Sequence, residues 1–216
     1  VVVITGASGG IGQAMCELLL ARGARIVALD LNVDVFTNSD VLLPLATDIT
    51  CNDQLENALE KTLEKFGSID VLFNNAGITH MSRFKDTSAD LFEKIMAVNF
   101  SAAVNLSRLC LPHICQNKGI IVAISSVAGF APLYGRSAYS ASKHAMEGFF
   151  GSLHSEVKDQ GVSITLVSPS FVRSRPELTA QVNAGVSSPG ALKKNTGGKQ
   201  LSAQDAAAQI IQAAAN

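Results

Sequence analysis

The chain has 216 residues, of which 47% are hydrophobic and 16% are charged, a balance that excludes a disordered or charge-driven protein. Seventeen basic and eighteen acidic residues leave a net charge of −1, so the composition predicts neither a nucleic-acid partner nor an anionic membrane partner. We expect one domain, residues 1–216, with a core that needs no disulfides.

Short apolar runs alternate with longer amphipathic stretches along the chain. The runs are rich in Val and Ile and predict buried strands at residues 1–5, 24–29, 41–46, 69–73, 119–124 and 163–167. Helical periodicity predicts helices at residues 11–22, 53–66, 89–115, 137–160 and 202–215. This alternation predicts an α/β fold, a doubly wound parallel sheet between two layers of helices.

Two connections depart from this pattern. Only ten residues separate Asp30 from Val41, which is too few for a crossover helix with its turns. Residues 174–199 are polar and contain several glycines and prolines. A stretch of that length inside a compact domain is usually functional, so we interpret it as a substrate loop or lid.

A glycine-rich turn follows the first predicted strand and opens directly into a helix. Glycines at such a place let the backbone approach a pyrophosphate at the positive end of the helix. The spacing is neither G-x-G-x-x-G nor that of a phosphate-binding P-loop. The alternative is close packing of the helix on the strand. The candidate dinucleotide-binding residues here are Gly6, Ser8, Gly10, Ile11 and Gly12.

Asp30 stands near the end of the second strand, 18 residues beyond Gly12. A carboxylate at this place can accept a hydrogen bond from a ribose 2′-hydroxyl, and it repels a 2′-phosphate. Neither the glycine turn nor Leu31 supplies a cation for such a phosphate. The pattern therefore favours NAD over NADP, the alternative being an aspartate that only caps the loop.

Tyr139 and Lys143 lie four residues apart in a predicted helix, so they share one face. A tyrosine hydroxyl has a pKa near 10, which is too high for efficient proton transfer at neutral pH. A neighbouring ammonium favours the phenolate, so this pair is able to exchange a proton with an alcohol or a carbonyl. The alternative is a solvated pair without function.

The catalytic interpretation depends on what accompanies this pair. Two serines, Ser125 and Ser126, close the fifth strand, and an Asn-Asn-Ala-Gly segment closes the fourth. Thr5, Gly77, Ser126 and Tyr139 stand in the order and at the spacings of the short-chain dehydrogenase/reductase family. The chain resembles the single-domain oxidoreductases of this family from residue 1 to about residue 174, which implies a Rossmann fold.

The resemblance implies a role for each matching residue. Tyr139 is the expected general acid/base, Lys143 lowers its pKa and binds the nicotinamide ribose, and Ser126 holds the substrate oxygen, with Ser125 as its rival. Asn99 anchors a water beside the lysine, the alternative being a residue that only packs. The further cofactor contacts that the resemblance implies are Asp48, Ile49, Asn75, Ala76, Gly77, Pro169, Val172 and Ser174.

The implied activity is that of an NAD(P)-dependent enzyme acting on CH–OH groups, with a small alcohol or carbonyl as substrate. Ser170 stands where the family usually has glycine, so a side chain occupies a place where glycine would allow a close approach of the backbone. A non-enzymatic dinucleotide-sensing or scaffold module on the same fold is the alternative function. An epimerase or dehydratase is a further one. The family commonly pairs the helices 89–115 and 137–160, so we expect a homodimer or homotetramer.

Three further expectations concern metal, substrate and compartment. Cys110 and Cys115 flank His113, but no second ligand pair stands nearby, so we expect no metal site. His80 could orient a substrate, although a lone loop histidine is more often solvated. The chain shows neither a secretory signal nor a run of 18 apolar residues, and we expect a cytoplasmic protein.

Overall fold

A computed structural model describes residues 1–173 and 200–215 of the chain. A six-stranded parallel sheet forms its centre, in the spatial order β3-β2-β1-β4-β5-β6. The strands are β1 (Val2–Thr5), β2 (Ile26–Asp30), β3 (Leu42–Ala46), β4 (Val71–Asn74), β5 (Ile120–Ile124) and β6 (Ser163–Val167). The doubly wound α/β fold expected from the sequence is confirmed.

Helices cover both faces of this sheet. They are α1 (Gly10–Leu20), α2 (Asn52–Phe66), α3 (Ala89–Met96), α4 (Ala102–Asn117), α5 (Ser137–Val157) and α6 (Ala203–Ala214). On one face, Leu55 of α2, Leu106 of α4 and Phe150 of α5 are buried against the strands. On the other face, α1 and α6 supply Met15 and Ile210. The sheet is therefore apolar on both sides, which explains its nearly continuous hydrophobic strands.

The connection from β2 to β3 contains no helix, as its length predicts. It returns through a bridge between Ser39 and Leu42, whose backbone groups bond to each other in both directions. β3 is an edge strand and carries Pro44 at its centre. The Thr47 N–H donates to the carbonyl oxygen of Asp30 in β2. Successive residues of a strand direct their backbone groups to opposite sides, so Pro44, three residues earlier, directs its ring nitrogen away from β2.

The predicted helix 89–115 is interrupted by one turn of π-helix at Ala97–Ser101, between α3 and α4. Such turns are often found at functional sites. The whole stretch Ala89–Asn117 is long and apolar enough to span a membrane by length and composition alone. Its buried residues, Cys110 and Ile114 among them, pack in the core, so this is weak evidence for a span. The cytoplasmic location stays a prediction.

Topology places the candidate site. The chain order reverses between β1 and β4, and ligands of open α/β sheets bind outside the carboxyl ends of the strands at such a point. Thr5, Asp30 and Asn74 end three strands at this edge. The proposed lid, residues 174–199, lies outside the described residues.

Candidate active site

The glycine turn packs more tightly than any residue with a side chain would allow. Gly6 has a φ of 62°, and a Cβ atom on Gly12 would lie 2.2 Å from the Gly6 carbonyl oxygen. Helix α1 begins at Gly10 after the N-cap Gly9, and no side chain in the described part of the chain caps it. Its first N–H groups are therefore available to an anion.

Hydrogen bonds join the segment at the end of β4 to this turn and to the end of β1. The Asn75 side chain donates to the carbonyl oxygens of Thr5 and Gly6, at 2.9 and 3.1 Å. The Thr5 hydroxyl accepts the N–H groups of Asn75 and Ala76, both at 3.0 Å. A Cβ on Gly6 would lie 2.8 Å from the Ala76 Cα. Asn75 and Ala76 thus border the glycine turn, and Thr5 is the residue that joins the two strand ends.

The Asp30 carboxylate stands beside the turn and is held in place by backbone. It accepts the N–H groups of Ser8 at 2.9 Å and Leu31 at 2.8 Å, while the Ser8 hydroxyl donates to the Asn32 carbonyl. Burial raises the pKa of Asp30, and the backbone N–H groups oppose that rise. Each oxygen keeps a lone pair for a ribose hydroxyl. The cradle and the carboxylate together fit a dinucleotide.

Asp48 and Ile49 follow β3 at the same edge of the sheet. Asp48 accepts the N–H and the hydroxyl of Thr50, at 2.9 and 2.7 Å, and so forms the turn that leads into α2. Ile49 is half-buried and packs against the core. These contacts shape the outer end of the candidate dinucleotide cleft.

Tyr139 lies with Ser126 rather than with Ser125. Ser126 follows β5 and accepts the N–H of Ala128 at 3.2 Å, and its hydroxyl acts to lower the pKa of Tyr139. Ser125 is only 4% exposed, and its hydroxyl donates to the Lys143 carbonyl oxygen at 3.5 Å. The geometry therefore favours Ser126 as the serine that meets the reacting oxygen.

Lys143 is buried next to this pair. Only 4% of the residue is exposed, and its Nζ donates to the Ile124 carbonyl oxygen at 2.6 Å. The Nζ lies 5.9 Å from the centroid of the Tyr139 ring. Burial lowers the pKa of Lys143 to about 8, against the opposing charge of Glu147. The pair expected from the sequence is thus brought together.

The electrostatics of Tyr139 include a cation that sequence reasoning did not consider. Burial raises its pKa, and the groups that oppose the rise are Ser126 and the guanidinium of Arg136. Sequence reasoning assigned this lowering to Lys143. Arg136 is thus a second cation near Tyr139, with its Cζ 5.8 Å from the ring centroid, and the effect of Lys143 on the pKa of Tyr139 stays a prediction.

Asn99 lies in the π-turn, and both polar atoms of its side chain form hydrogen bonds. Its Oδ1 accepts the Ile78 N–H at 2.8 Å, and its Nδ2 donates to the Ile78 carbonyl at 2.9 Å and to the Ser142 hydroxyl at 3.0 Å. It thereby ties the segment after β4 to α5. A Cβ on Gly77 would lie 3.4 Å from Asn99 Oδ1 and 3.7 Å from Lys143 Nζ. Gly77 and Asn99 therefore both border the lysine.

The segment after β6 completes this edge of the sheet. The Pro169 carbonyl accepts the Val127 N–H at 3.3 Å, and Val172 forms a parallel bridge with Leu201. Ser174, the last expected contact, lies outside the described residues. No group of three His, Cys, Asp or Glu side chains within residues 1–173 and 200–215 could hold a metal ion.

Sequence reasoning missed two residues of this site. Glu147 lies one helical turn after Lys143 and accepts a hydrogen bond from the Ser168 hydroxyl at 2.7 Å, so the i,i+4 spacing could have revealed it. The Arg136 Cζ lies 5.8 Å from the centroid of the Tyr139 ring. Its i,i+3 spacing to the tyrosine is a weaker signal, since the orientation of the side chain depends on the preceding loop.

Comparison with known proteins agrees with this geometry. The family model for short chain dehydrogenases matches residues 1–186. A "Dehydrogenase/reductase SDR family protein 7-like" of Anopheles gambiae is 36% identical over 231 residues, covering 100% of this chain and 72% of that protein. "Dehydrogenase/reductase SDR family member 7B" of Rattus norvegicus is 35% identical over 211 residues, covering 91% of this chain. The alignment covers 65% of the rat protein, slightly less than two thirds of its length.

A solved structure shows the same architecture. "4-hydroxyisoleucine dehydrogenase complexed with NADH" superposes with a TM-score of 0.80 at 28% identity, over 97% of this chain and 88% of that one. The matched segment, residues 1–186, contains the glycine turn and the Ser126, Tyr139 and Lys143 cluster. On this match and these relatives, the chain belongs to the short-chain dehydrogenase/reductase family.

Proposed function

We propose that the protein is an NAD(H)-dependent oxidoreductase that interconverts a secondary alcohol and a ketone, with Tyr139 as general acid/base. The observation that carries this proposal is the cluster of Ser126, Tyr139 and Lys143 at the carboxyl edge of the sheet. The cluster adjoins a turn that fits a dinucleotide. The names of the relatives as dehydrogenases or reductases, one solved with NADH, support the same reaction class.

The cofactor would be held along the whole edge of the sheet. The pyrophosphate would meet the glycine turn (Gly6, Ser8, Gly10, Ile11 and Gly12), and the adenosine would meet Asp30, Asp48 and Ile49. The nicotinamide half would meet Asn75, Ala76, Gly77, Pro169, Val172 and Ser174, with Tyr139 and Lys143 at its ribose. The bound nicotinamide supplies or accepts the hydride.

The protein's own groups would move the proton. The Ser126 hydroxyl donates a hydrogen bond to the substrate oxygen and orients it toward Tyr139. Ionised Tyr139 takes the proton from an alcohol, and in the reverse direction its hydroxyl gives one to a carbonyl. As long as the Lys143 side chain is protonated, its positive charge stabilises the ionised tyrosine. Asn99, which holds Ile78 against α5, keeps the lysine and the segment after β4 in register.

The proposal is tested by incubating the protein with NAD and a panel of secondary alcohols while absorbance of the reduced cofactor is followed. We expect NADH to form with at least one alcohol and to be consumed with the matching ketone. Dinucleotide binding with no turnover of any alcohol or ketone would contradict the proposal. That outcome would favour the sensing or scaffold alternative.

Asp30→Ala is expected to narrow the preference for NAD over NADP. The carboxylate accepts a hydrogen bond from the ribose in NAD and repels the 2′-phosphate in NADP. Its loss should change the ratio of the two affinities by about 1–3 kcal/mol, or roughly 5- to 150-fold. Titration of each cofactor against wild type and variant measures the ratio.

Asp34→Ala is the matched control, because Asp34 is an exposed carboxylate on the same connection. It accepts its hydrogen bond from the Asn32 side chain. The control should keep the wild-type ratio. A wild type that prefers NADP, or an Asp34 variant that shifts the ratio as far as the Asp30 variant, would disprove the role of Asp30.

We also propose that the protein is a dimer through α4 and α5. In the sequence, these helices carry apolar residues beyond one stripe, which favours a partner surface: Val104, Leu106, Leu109, Phe149, Phe150 and Leu153. Leu106 and Phe150, however, are buried in the chain's own core. The four that remain half-buried are Val104, Leu109, Phe149 and Leu153. Phe149 of α5 contacts Phe100 of the π-turn edge-to-face, with centroids 5.9 Å apart. These half-buried apolar side chains would form the contact with a second copy.

Leu153→Glu is expected to convert the dimer to a folded monomer, since an unpaired carboxylate would be buried at the two-fold interface. Light scattering at micromolar concentration measures the mass, and circular dichroism verifies the fold. Ser152→Glu, on the exposed neighbouring position of α5, should remain dimeric. A monomeric wild type at this concentration would contradict the assembly.

A further inference from the structure

Arg136 is a half-buried cation that the reaction proposed above does not require. It directly precedes α5, and its Cζ lies 5.8 Å from the centroid of the Tyr139 ring. Its Nη1 donates a hydrogen bond to the Thr79 hydroxyl. This places a guanidinium on the side of Tyr139 that is bordered by the loop after β4.

No carboxylate of the described residues pairs with this guanidinium. The ion pairs recorded there join the Val1 amino group to Asp70 and Arg83 to Asp86. A guanidinium carries five N–H donors, and Thr79 accepts from only one of its nitrogens. Burial lowers the pKa of Arg136, so the fold holds this charge partly away from water. A charge in that position favours an anionic partner that the described chain does not supply.

His80 is a second polar group without a partner at this place. It is 2% exposed, and neither of its ring nitrogens has a hydrogen-bond partner in the described structure. Sequence reasoning favoured a solvated histidine, and the structure shows that this is wrong. Its chain neighbour Thr79 accepts the hydrogen bond of Arg136, and burial and the charge of Arg136 both lower the pKa of His80. A neutral imidazole offers one donor and one acceptor.

We propose that Arg136, with His80 beside it, binds a carboxylate of the substrate, so that the preferred substrates are hydroxy acids and the corresponding keto acids. The planar guanidinium matches a carboxylate through two parallel hydrogen bonds. A carboxylate held by this guanidinium, whose Cζ lies 5.8 Å from the centroid of the Tyr139 ring, would lie beside the proposed acid/base. This inference deepens the proposed function and rests on it.

The first test compares two substrates of equal size, 3-hydroxybutyrate and 3-hydroxybutanamide, which differ only in the charge of one end. Wild type should oxidise the acid with a kcat/KM about 10- to 100-fold higher than the amide, the range expected for a charge-assisted pair. Arg136→Gln should bring that ratio close to one. Arg83→Gln is the control, since Arg83 is an exposed arginine paired with Asp86, and it should keep the wild-type ratio.

The second test needs no turnover. Calorimetric titration of the NAD-loaded protein with butyrate and with butyramide measures the subsite alone. Wild type should bind butyrate at least about tenfold more tightly than Arg136→Gln does, while butyramide should bind both proteins alike. His80→Gln should weaken butyrate binding by a smaller factor. Thermal melts verify that each variant is folded.

The outcomes separate the two proposals. Failure of wild type to oxidise any alcohol, with butyrate still bound through Arg136, would overturn the proposed function and leave the subsite standing. Equal binding of butyrate by wild type and Arg136→Gln would overturn the subsite. An Arg136→Gln variant that loses activity equally with the acid and the amide would also overturn it, because the arginine would then act on Tyr139 alone.

Discussion

Tyr139→Phe is expected to lower turnover at least about 100-fold while leaving the affinity for NAD nearly unchanged. The phenylalanine ring fills the same space beside Ser126 and Arg136 but has no proton to exchange with the substrate. Steady-state kinetics with any accepted alcohol, together with a fluorescence titration of NAD, measures both quantities. The substitution should therefore lower kcat and leave the affinity for the cofactor nearly unchanged.

The chain offers a matched control for this variant, since Tyr134 is its other tyrosine and is 74% exposed. Tyr134→Phe removes the same hydroxyl from the same kind of side chain and should keep turnover within about twofold. Activity of the Tyr139 variant within about threefold of wild type would remove Tyr139 as the acid/base, and the proposed mechanism with it.

Lys143→Met is expected to abolish most of the activity and, at pH 7, to stabilise the fold. Burial lowers the pKa of Lys143 in the folded state from 10.5 to about 8. Below pH 8 the lysine is protonated in both states, so the folded state bears the full cost of a buried charge. That cost is roughly 3–4 kcal/mol from the shift in pKa, and its removal in the variant is partly offset by the lost hydrogen bond to Ile124.

The difference in the free energy of unfolding between the variant and wild type should depend on pH. Between about pH 8 and pH 10.5 the unfolded wild type binds more protons than the folded one, so the free energy of unfolding of wild type rises with pH. The advantage of the methionine variant should therefore be about 1–3 kcal/mol at pH 7 and should shrink toward pH 10. Urea unfolding at the two pH values measures it.

Lys158→Met is the control, because Lys158 is an exposed lysine just after α5. Its free energy of unfolding should change by less than about 0.5 kcal/mol at either pH. A Lys143 variant that is less stable than wild type at pH 7 would show that the hydrogen bond to Ile124 outweighs the buried charge. A Lys143 variant with wild-type activity would contradict the role of the lysine.

The fold could be predicted from the sequence because its signals are local. Each predicted strand overlaps the observed one, and the glycine turn stands between β1 and α1 as its composition indicates. The same apolar runs also predict that helices cover both faces of the sheet. The absence of a helix between Asp30 and Leu42 followed from chain length alone.

The details of the site depend on contacts between distant segments, and no local pattern contains them. The π-turn at Ala97–Ser101 lies inside a stretch whose periodicity predicts one continuous helix. Arg136 meets Thr79 across 57 residues, and the burial of His80 depends on that same loop. Phe150 was counted as surface because periodicity does not reveal how deeply α5 packs into the core. Each of these features requires the assembled sheet.

The two edges of the sheet differ in their capacity to accept another strand. On β3, the outward backbone groups of Leu42 are already paired with Ser39, and Pro44 has no N–H to offer, so the edge lacks the regular ladder that a new strand would need. β6, at the opposite edge, has no such block within its five residues. We therefore expect that strand addition, whether by a segment of polypeptide or in aggregation of the partly unfolded chain, proceeds from β6.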